Sequence, residues 1–367
     1  MRLLDVRDLT VSFPTSDGVV RAVRGVSFSV DRGSTLGVVG ESGSGKTVAA
    51  MTLLGLTRGA RVSGTALFEG RNLIGMSEVE LREIRGARIA MVFQDPLSSL
   101  HPYYRVGWQI SEMIRAHGDI SRAAAHRRSI ELLGLVGLPR PDRRVDDYPH
   151  QFSGGMRQRA MIAMALAADP VLLIADEPTT ALDATVQAQI LAVLRRLQRE
   201  LSMALIVISH DLGVIAEMAD EVLIMYAGRA VEVADRRTTY YRPHHPYTLG
   251  LLGSIPSSPA MTSGPAARLR PIPGQPPSLI RLPSGCSFHP RCRYAMDRCL
   301  VEEPPLREAA GWRRHLSACW LPTDAVGTDD VAETKRRRAV RNGRPSAAPN
   351  ARGGAVAAAS PPTGTAA

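Results

Sequence analysis

Lysine is nearly absent. Among 367 residues only Lys46 and Lys335 are lysines, and the other 43 of the 45 basic residues are arginine. A chain that otherwise chooses guanidinium needs a reason for a compact ammonium at position 46. Aromatic residues make up only 5% of the chain, and none interleaves with the basic runs. The formal net charge of +10 therefore does not read as a nucleic-acid surface. Part of it sits in Lys335-Arg336-Arg337-Arg338, Arg341 and Arg344, a solvated basic tail with at most a weak attraction to anionic lipid. Long apolar runs are missing too. The nearest approach to a membrane span, Ala160 to Ala175, is cut by Asp169-Pro170. The first residues, Met1-Arg2-Leu3-Leu4-Asp5-Val6-Arg7-Asp8, carry charge where a secretory leader needs an apolar stretch. Cysteine is scarce and confined: all four lie between Cys286 and Cys319.

What is present alternates in period. Residues 1 to about 33 place Val6, Leu9, Val11 and Phe13, then Val19, Val23, Val26, Phe28 and Val30, at strand spacing, with turn signals at Pro14 and Asp17-Gly18. Thr35 to Val39, Arg88 to Phe93, Val171 to Ala175 and Leu205 to Ile208 are short apolar strands. Helical stretches at 46–56, 154–168 and 184–201 separate them, which predicts an α/β fold with a parallel sheet covered on both faces. Residues 95–151 read as a helical insertion broken by Pro139, Pro141 and Pro149. From about 236 to 321 the chain is rich in Pro, Arg and Cys. From 322 to 367 it is Ala, Pro, Gly, Thr and Arg with almost no large apolar residue, a composition of disorder.

The chemistry-bearing motifs fall at strand ends. Gly40-Glu41-Ser42-Gly43-Ser44-Gly45-Lys46-Thr47 matches G-x-x-x-x-G-K-T between a strand and a helix. Its glycines let backbone N–H groups wrap phosphates at a helix N-terminus. Lys46 is placed to reach the β and γ phosphates and Thr47 to ligate Mg²⁺. Val171 to Ala175 runs into Asp176-Glu177. Asp176 is the Mg²⁺ candidate and Glu177 the base that polarises the attacking water. Phe152-Ser153-Gly154-Gly155-Met156-Arg157-Gln158-Arg159 precedes that strand, Gln94 follows another, and His210 follows a third.

In combination these motifs resemble the ABC ATPases over residues 1–235. The resemblance implies a RecA-like parallel core, an antiparallel β subdomain, and a helical subdomain of residues 95–151 plus a signature helix at 153–168. It identifies Gln94 with the Q-loop glutamine that touches Mg²⁺ and the attacking water. His210 matches the switch histidine on the γ-phosphate. Ser153, Gly154, Gly155, Gln158 and, in the D-loop Ala181-Leu182-Asp183, Asp183 would serve ATP held by another subunit. Phe13 is the candidate for stacking on adenine. One copy of each motif implies one half of a nucleotide sandwich, closed by a second ABC ATPase.

The run Gln94 to Pro102, the run His245-Pro246-Tyr247-Thr248 and the cysteine-bearing segment resemble the ATPase subunits of oligopeptide and dipeptide importers, a group that includes nickel importers. That resemblance reaches residue 321. It implies a non-identical ATPase partner, two polytopic membrane subunits, an indirect solute-binding protein and a cytoplasmic place on the inner face of the cell membrane. It implies no nucleic acid. A soluble ABC ATPase acting on nucleic acid or ribosomes is the alternative, but no second ATPase unit, coiled coil or zinc module is visible. The four cysteines read C-x5-C-x6-C-x19-C. Thiolates suit zinc or an iron–sulfur cluster, though the tight C-x2-C pairs of structural zinc are missing. The resemblance implies a [4Fe-4S] cluster on Cys286, Cys292, Cys299 and Cys319, with zinc as second choice. His289 and His315 would then be spare ligands or neighbours of the centre.

Overall fold

Arg2 to Thr15 (β1) and Gly18 to Asp31 (β2) pair as a long antiparallel hairpin, as their alternation predicts. The structure is a computed structural model that describes residues 1–95, 99–180, 182–254, 272–309 and 314–322. Pro96, Leu97 and Ser98, Ala181 of the D-loop, and nearly all of the expected disordered tail lie outside the described residues. Arg61–Phe68 (β4) and Arg71–Asn72 (β5) complete this sheet in the order β2-β1-β4-β5.

The second sheet carries the chemistry. Its order is β11-β12-β10-β9-β3-β8-β7-β6. Ile89–Val92 (β6), Leu172–Asp176 (β7), Ala204–Ser209 (β8), Thr35–Val39 (β3) and Glu221–Tyr226 (β9) run parallel. Arg229–Asp235 (β10), Leu316–Ser317 (β12) and Arg307–Glu308 (β11) add antiparallel pairs at one edge.

Successive side chains of a strand point to opposite faces, so strands buried on both sides need unbroken apolar sequence. β7 does this: Leu172 and Ile174 join one core, Leu173 and Ala175 the other. β8 splits likewise, Ile206 and Ile208 one way and Leu205 and Val207 the other. One core packs the sheet against the helices Gly154–Ala165 and Ala184–Glu200; the other packs it against the helix Lys46–Leu53 and the antiparallel sheet. Each buried Leu or Ile side chain here contributes about 1.5–3 kcal/mol.

The insertion is helical as expected, with helices Val106–His117 and Arg122–Leu135, the second capped by the Ser121 hydroxyl on Ala124 N–H at 3.3 Å. Among the described residues no helix is long and apolar enough to cross a membrane.

Sequence reading finds no strand beyond residue 235. The structure places β11 and β12 there, with Glu232 opposite Ser317 across β10 and β12. The C-terminal segment thus extends the same sheet, and its Tyr247 and Phe288 are buried in the larger core.

Candidate functional site

The strand β3 ends at Val39, and the loop that begins at Gly40 leads into the helix Lys46–Leu53. Two of its glycines are steric necessities. A Cβ on Gly40 would stand 2.2 Å from the Met225 carbonyl oxygen, and one on Gly45 (φ 98°) 2.2 Å from that of Ala22. The loop is thereby seated against β9 and the β2 hairpin arm, while Ser42, Gly43 and Thr47 stay exposed. Lys46 is buried, and its Nζ donates to the carbonyls of Gly40 at 2.8 Å and Glu41 at 2.9 Å. Burial lowers its pKa, against the opposing pull of Glu177, Asp176 and Glu41.

Three parallel strand ends meet this loop. β7 delivers Asp176, buried, whose Oδ1 accepts from the Thr47 hydroxyl at 3.1 Å. Burial raises its pKa, with Glu177 adding and Thr47 and Lys46 opposing. Glu177 follows with a left-handed φ of 47°, an unfavourable conformation for a residue with a Cβ, held by its N–H on the Ile208 carbonyl at 2.9 Å. That backbone turn aims its carboxylate at two other strand ends. Oε2 accepts from Gln94 Nε2, beyond β6, at 3.0 Å, and Oε1 lies 3.4 Å from His210 Nδ1, beyond β8. Thr180, which the motif reading passed over, donates its hydroxyl to Oε2 at 2.8 Å. Its only sequence signal is position, one turn after the acidic pair.

The structure therefore brings Lys46, Thr47, Asp176, Glu177, Gln94 and His210 to one end of the sheet. It does not bring the signature there. Ser153 caps the helix Gly154–Ala165, accepting from Met156 N–H at 3.4 Å, and Ser153 and Gly154 are exposed. Gly155 is fixed by packing, since a Cβ would meet Val186 at 2.5 Å. Gln158 is buried, with no partner for its Nε2. Asp183 caps Ala184–Glu200, accepting from the N–H groups of Thr185 and Val186 at 3.0 and 2.9 Å. Phe13 sits half-buried near the hairpin tip, opposite Val20.

Comparison with known proteins agrees with this geometry. The ABC transporter family model matches residues 23–180, and the model of the oligopeptide/dipeptide transporter C-terminal region matches residues 231–299. The chain is 50% identical over 325 residues, 88% of its length and 94% of the relative's, to the oligopeptide transport ATP-binding protein OppD of Escherichia coli. The chain belongs to the ABC transporter ATP-binding family. Similar too are the dipeptide transport ATP-binding protein DppD of Bacillus subtilis, 47% identical over 87% of this chain and 95% of that one, and a dimeric ATP-binding cassette bound to ADP and Pi. That cassette superposes with a TM-score of 0.58 at 25% identity, covering 64% of this chain and 99% of its own. This ABC subunit is an ATPase.

Its C-terminal region gathers the four cysteines around one cavity of about 300 Å³, counting space open to solvent, together with His245, His289, Phe288, Tyr294 and Trp320. The donor chemistry suits a thiolate-bound metal. The arrangement does not: among the described residues no group of three or more His, Cys, Asp or Glu could hold a metal ion. The expectation of a [4Fe-4S] cluster, and of zinc as second choice, is therefore not supported. Burial raises the pKa of three of the thiols, Cys286 among them, pushing Cys292 up to about 11 and Cys319 to about 12, with the neighbouring cysteines adding. His315, expected as a spare ligand, instead approaches Glu232 Oε1 at 2.6 Å through Nε2. Glu232 is wholly buried and also accepts the backbone N–H groups of His244 and His245 at 2.6 and 3.0 Å.

Proposed function

We propose that this ATPase is the energy-coupling subunit of an ABC importer for di- or oligopeptides. The observation that carries the chemical half is the convergence of Gln94, Thr180 and His210 on the Glu177 carboxylate beside the phosphate loop. Lys46 and the loop N–H groups of Gly40 to Thr47 would hold the phosphates of ATP, with Phe13 against adenine. Thr47, Asp176 and Gln94 would hold Mg²⁺, which when bound screens charge on the phosphates. Glu177 polarises the attacking water, and Gln94 and Thr180 keep its carboxylate oriented. His210, more than half exposed, is free to turn towards a γ-phosphate. Catalysis of this kind rests on positioning and charge.

The exposed, capped N-terminus of the signature helix supports the sandwich reading: Ser153, Gly154, Gly155, Gln158 and Asp183 serve the ATP of a second, related subunit. Following Gln94 in the chain, the insertion exposes Tyr103, Tyr104 and Trp108, of which Tyr103 is 82% exposed and Tyr104 stacks on Trp108 at 4.3 Å. An apolar patch of this kind supports docking of two membrane subunits on the inner face of the cell membrane. Peptide as the solute is supported by the similarity to oligopeptide and dipeptide transport ATP-binding proteins and by the match to the oligopeptide/dipeptide transporter C-terminal region. On this reading residues 1–235 are the ATPase domain and 236–321 its importer-type extension. The convergence of four thiols on one cavity favours a second, smaller proposal, that they take up a metal centre after side-chain movement. Anaerobic purification yielding a brown, iron-bearing chain supports it, and a colourless, metal-free chain rejects it.

The test of the main reading is reconstitution with the membrane subunits. Peptide-loaded binding protein should stimulate ATP hydrolysis; absence of stimulation, in a complex that binds ATP, overturns it.

A further inference from the structure

Glu41 is a variable position in the phosphate-loop pattern, yet in this chain three of its groups are pinned. Its carbonyl accepts from Lys46 Nζ at 2.9 Å. Its backbone N–H donates to the Tyr247 hydroxyl at 2.8 Å. Its carboxylate takes a two-pronged ion pair from Arg291, at 2.8 and 3.1 Å. Tyr247 and Arg291 both belong to the C-terminal extension, and both are buried.

The Arg291 fork is aimed with care. Its Nε donates to the Pro273 carbonyl at 2.9 Å and its Nη1 lies 3.4 Å from the Tyr226 hydroxyl. Tyr247 packs in a triangle of rings with Tyr226 and Phe288, at 4.7 and 5.4 Å, those two being 5.2 Å apart. A planar guanidinium already held at two points has less freedom left to lose when it pairs with a carboxylate.

We infer that Arg291 and Tyr247 are positioning residues for the phosphate loop, by which the extension neutralises Glu41 and fixes the loop for the triphosphate. The inference rests on the reading of residues 40–47 as the ATP phosphate site. The physical argument is one of sign. A carboxylate in this loop opposes a polyanionic ligand, and Arg291 cancels that opposition. Without Arg291 the charge of Glu41 stands unpaired beside the phosphates and the loop loses its anchor. Without both partners, the repulsion goes as well.

The test is equilibrium binding of Mg–ATP to the full chain, with Lys46→Ala as control. Arg291→Gln should weaken ATP binding about tenfold. Adding Glu41→Gln to it should recover the affinity to within about threefold of the parent, which a merely structural role for Arg291 does not predict. Tyr247→Phe keeps the ring packing, removes only the acceptor of the Glu41 N–H, and should weaken binding about threefold. In the reconstituted complex these losses should appear in KM with kcat nearly unchanged. Arg291→Gln binding ATP like the parent, or a double variant as weak as Arg291→Gln, overturns the proposal. If Arg291→Gln does not fold, Tyr247→Phe decides: unchanged affinity overturns the proposal, a threefold loss sustains it. Failure of the underlying reading looks different, since the parent chain would then not bind ATP or Lys46→Ala would bind it equally well.

Discussion

The phosphate-loop end of the sheet and the cysteine cavity of the extension both collect reactive side chains, but by opposite means. At the first, parallel strands stop in register and each hands over a polar residue: Gln94 after β6, Asp176 and Glu177 at β7, His210 after β8. Those groups bond one another directly, as Glu177 does with Gln94 and Thr180. At the second, the thiols come from loops and, for Cys299, the short helix Asp297–Val301; they line a cavity with aromatic rings, and burial raises the pKa of Cys286, Cys292 and Cys319. Parallel sheets hold strand ends to within a hydrogen-bond register, whereas loops hold their side chains only as well as the packing beneath them. A buried knot around Glu232 fastens β10 to His244, His245 and His315 of the C-terminal segment.

Breaking the first region at its centre should give the largest effect. Glu177→Gln is expected to bind ATP while hydrolysing it about 10²–10⁴-fold more slowly; near-normal turnover in a reconstituted complex would remove Glu177 as the base. Next comes the fastening. Glu232→Ala leaves two buried N–H groups and the His315 ring without their acceptor, and should cost about 3–5 kcal/mol. Denaturant unfolding would measure it, and a loss below about 1 kcal/mol would make the knot incidental.

Acid should loosen the same fastening. Burial lowers the pKa of His245 from 6.5 to about 4, and its Nδ1 accepts from the Tyr247 N–H at 3.1 Å. Above pH 6.5 both folded and unfolded states hold it neutral. As pH falls from 6.5 towards 4 the unfolded chain takes up a proton that the folded one refuses, so stability drops by up to about 3 kcal/mol. Glu232, held below the ordinary carboxylate range because His315 and the His244 N–H outweigh its burial, adds a loss of the same sign at lower pH. A melting temperature flat between pH 7 and 4.5 would contradict this account. The smallest effect concerns the second region itself. With Cys292 at about 11 instead of the ordinary 9, its alkylation at pH 8 should run about 10²-fold slower than that of a free thiol. Mass spectrometry of the alkylated full chain would show it, and labelling at the free-thiol rate would mean a more open cavity than this one.

The unequal construction also governs what could be read without a structure. G-x-x-x-x-G-K-T and the Asp176-Glu177 strand end are local patterns, and their chemistry demands nearly the same short spacing wherever they occur. The apolar strands and the helical insertion were equally legible, because period 2 and period 3.6 are written along the chain. Thr180 was missed because one threonine in a turn carries no pattern. β11 and β12 were missed because two-residue strands have no period to detect. The metal expected at the cysteines came from resemblance, and the packed geometry of this chain gives it no support.

By itself, then, the sequence determined the α/β layering, the phosphate loop, the acidic strand end, the signature helix and family membership, because each is set by local period or short spacing. Tertiary structure alone decided that Glu177 is shared by Gln94, His210 and Thr180. It alone decided that Glu232 holds the extension, and that Arg291 and Tyr247 reach back to Glu41. These contacts span up to 250 residues of chain, and only the folding of the extension onto the sheet brings their partners within hydrogen-bond reach.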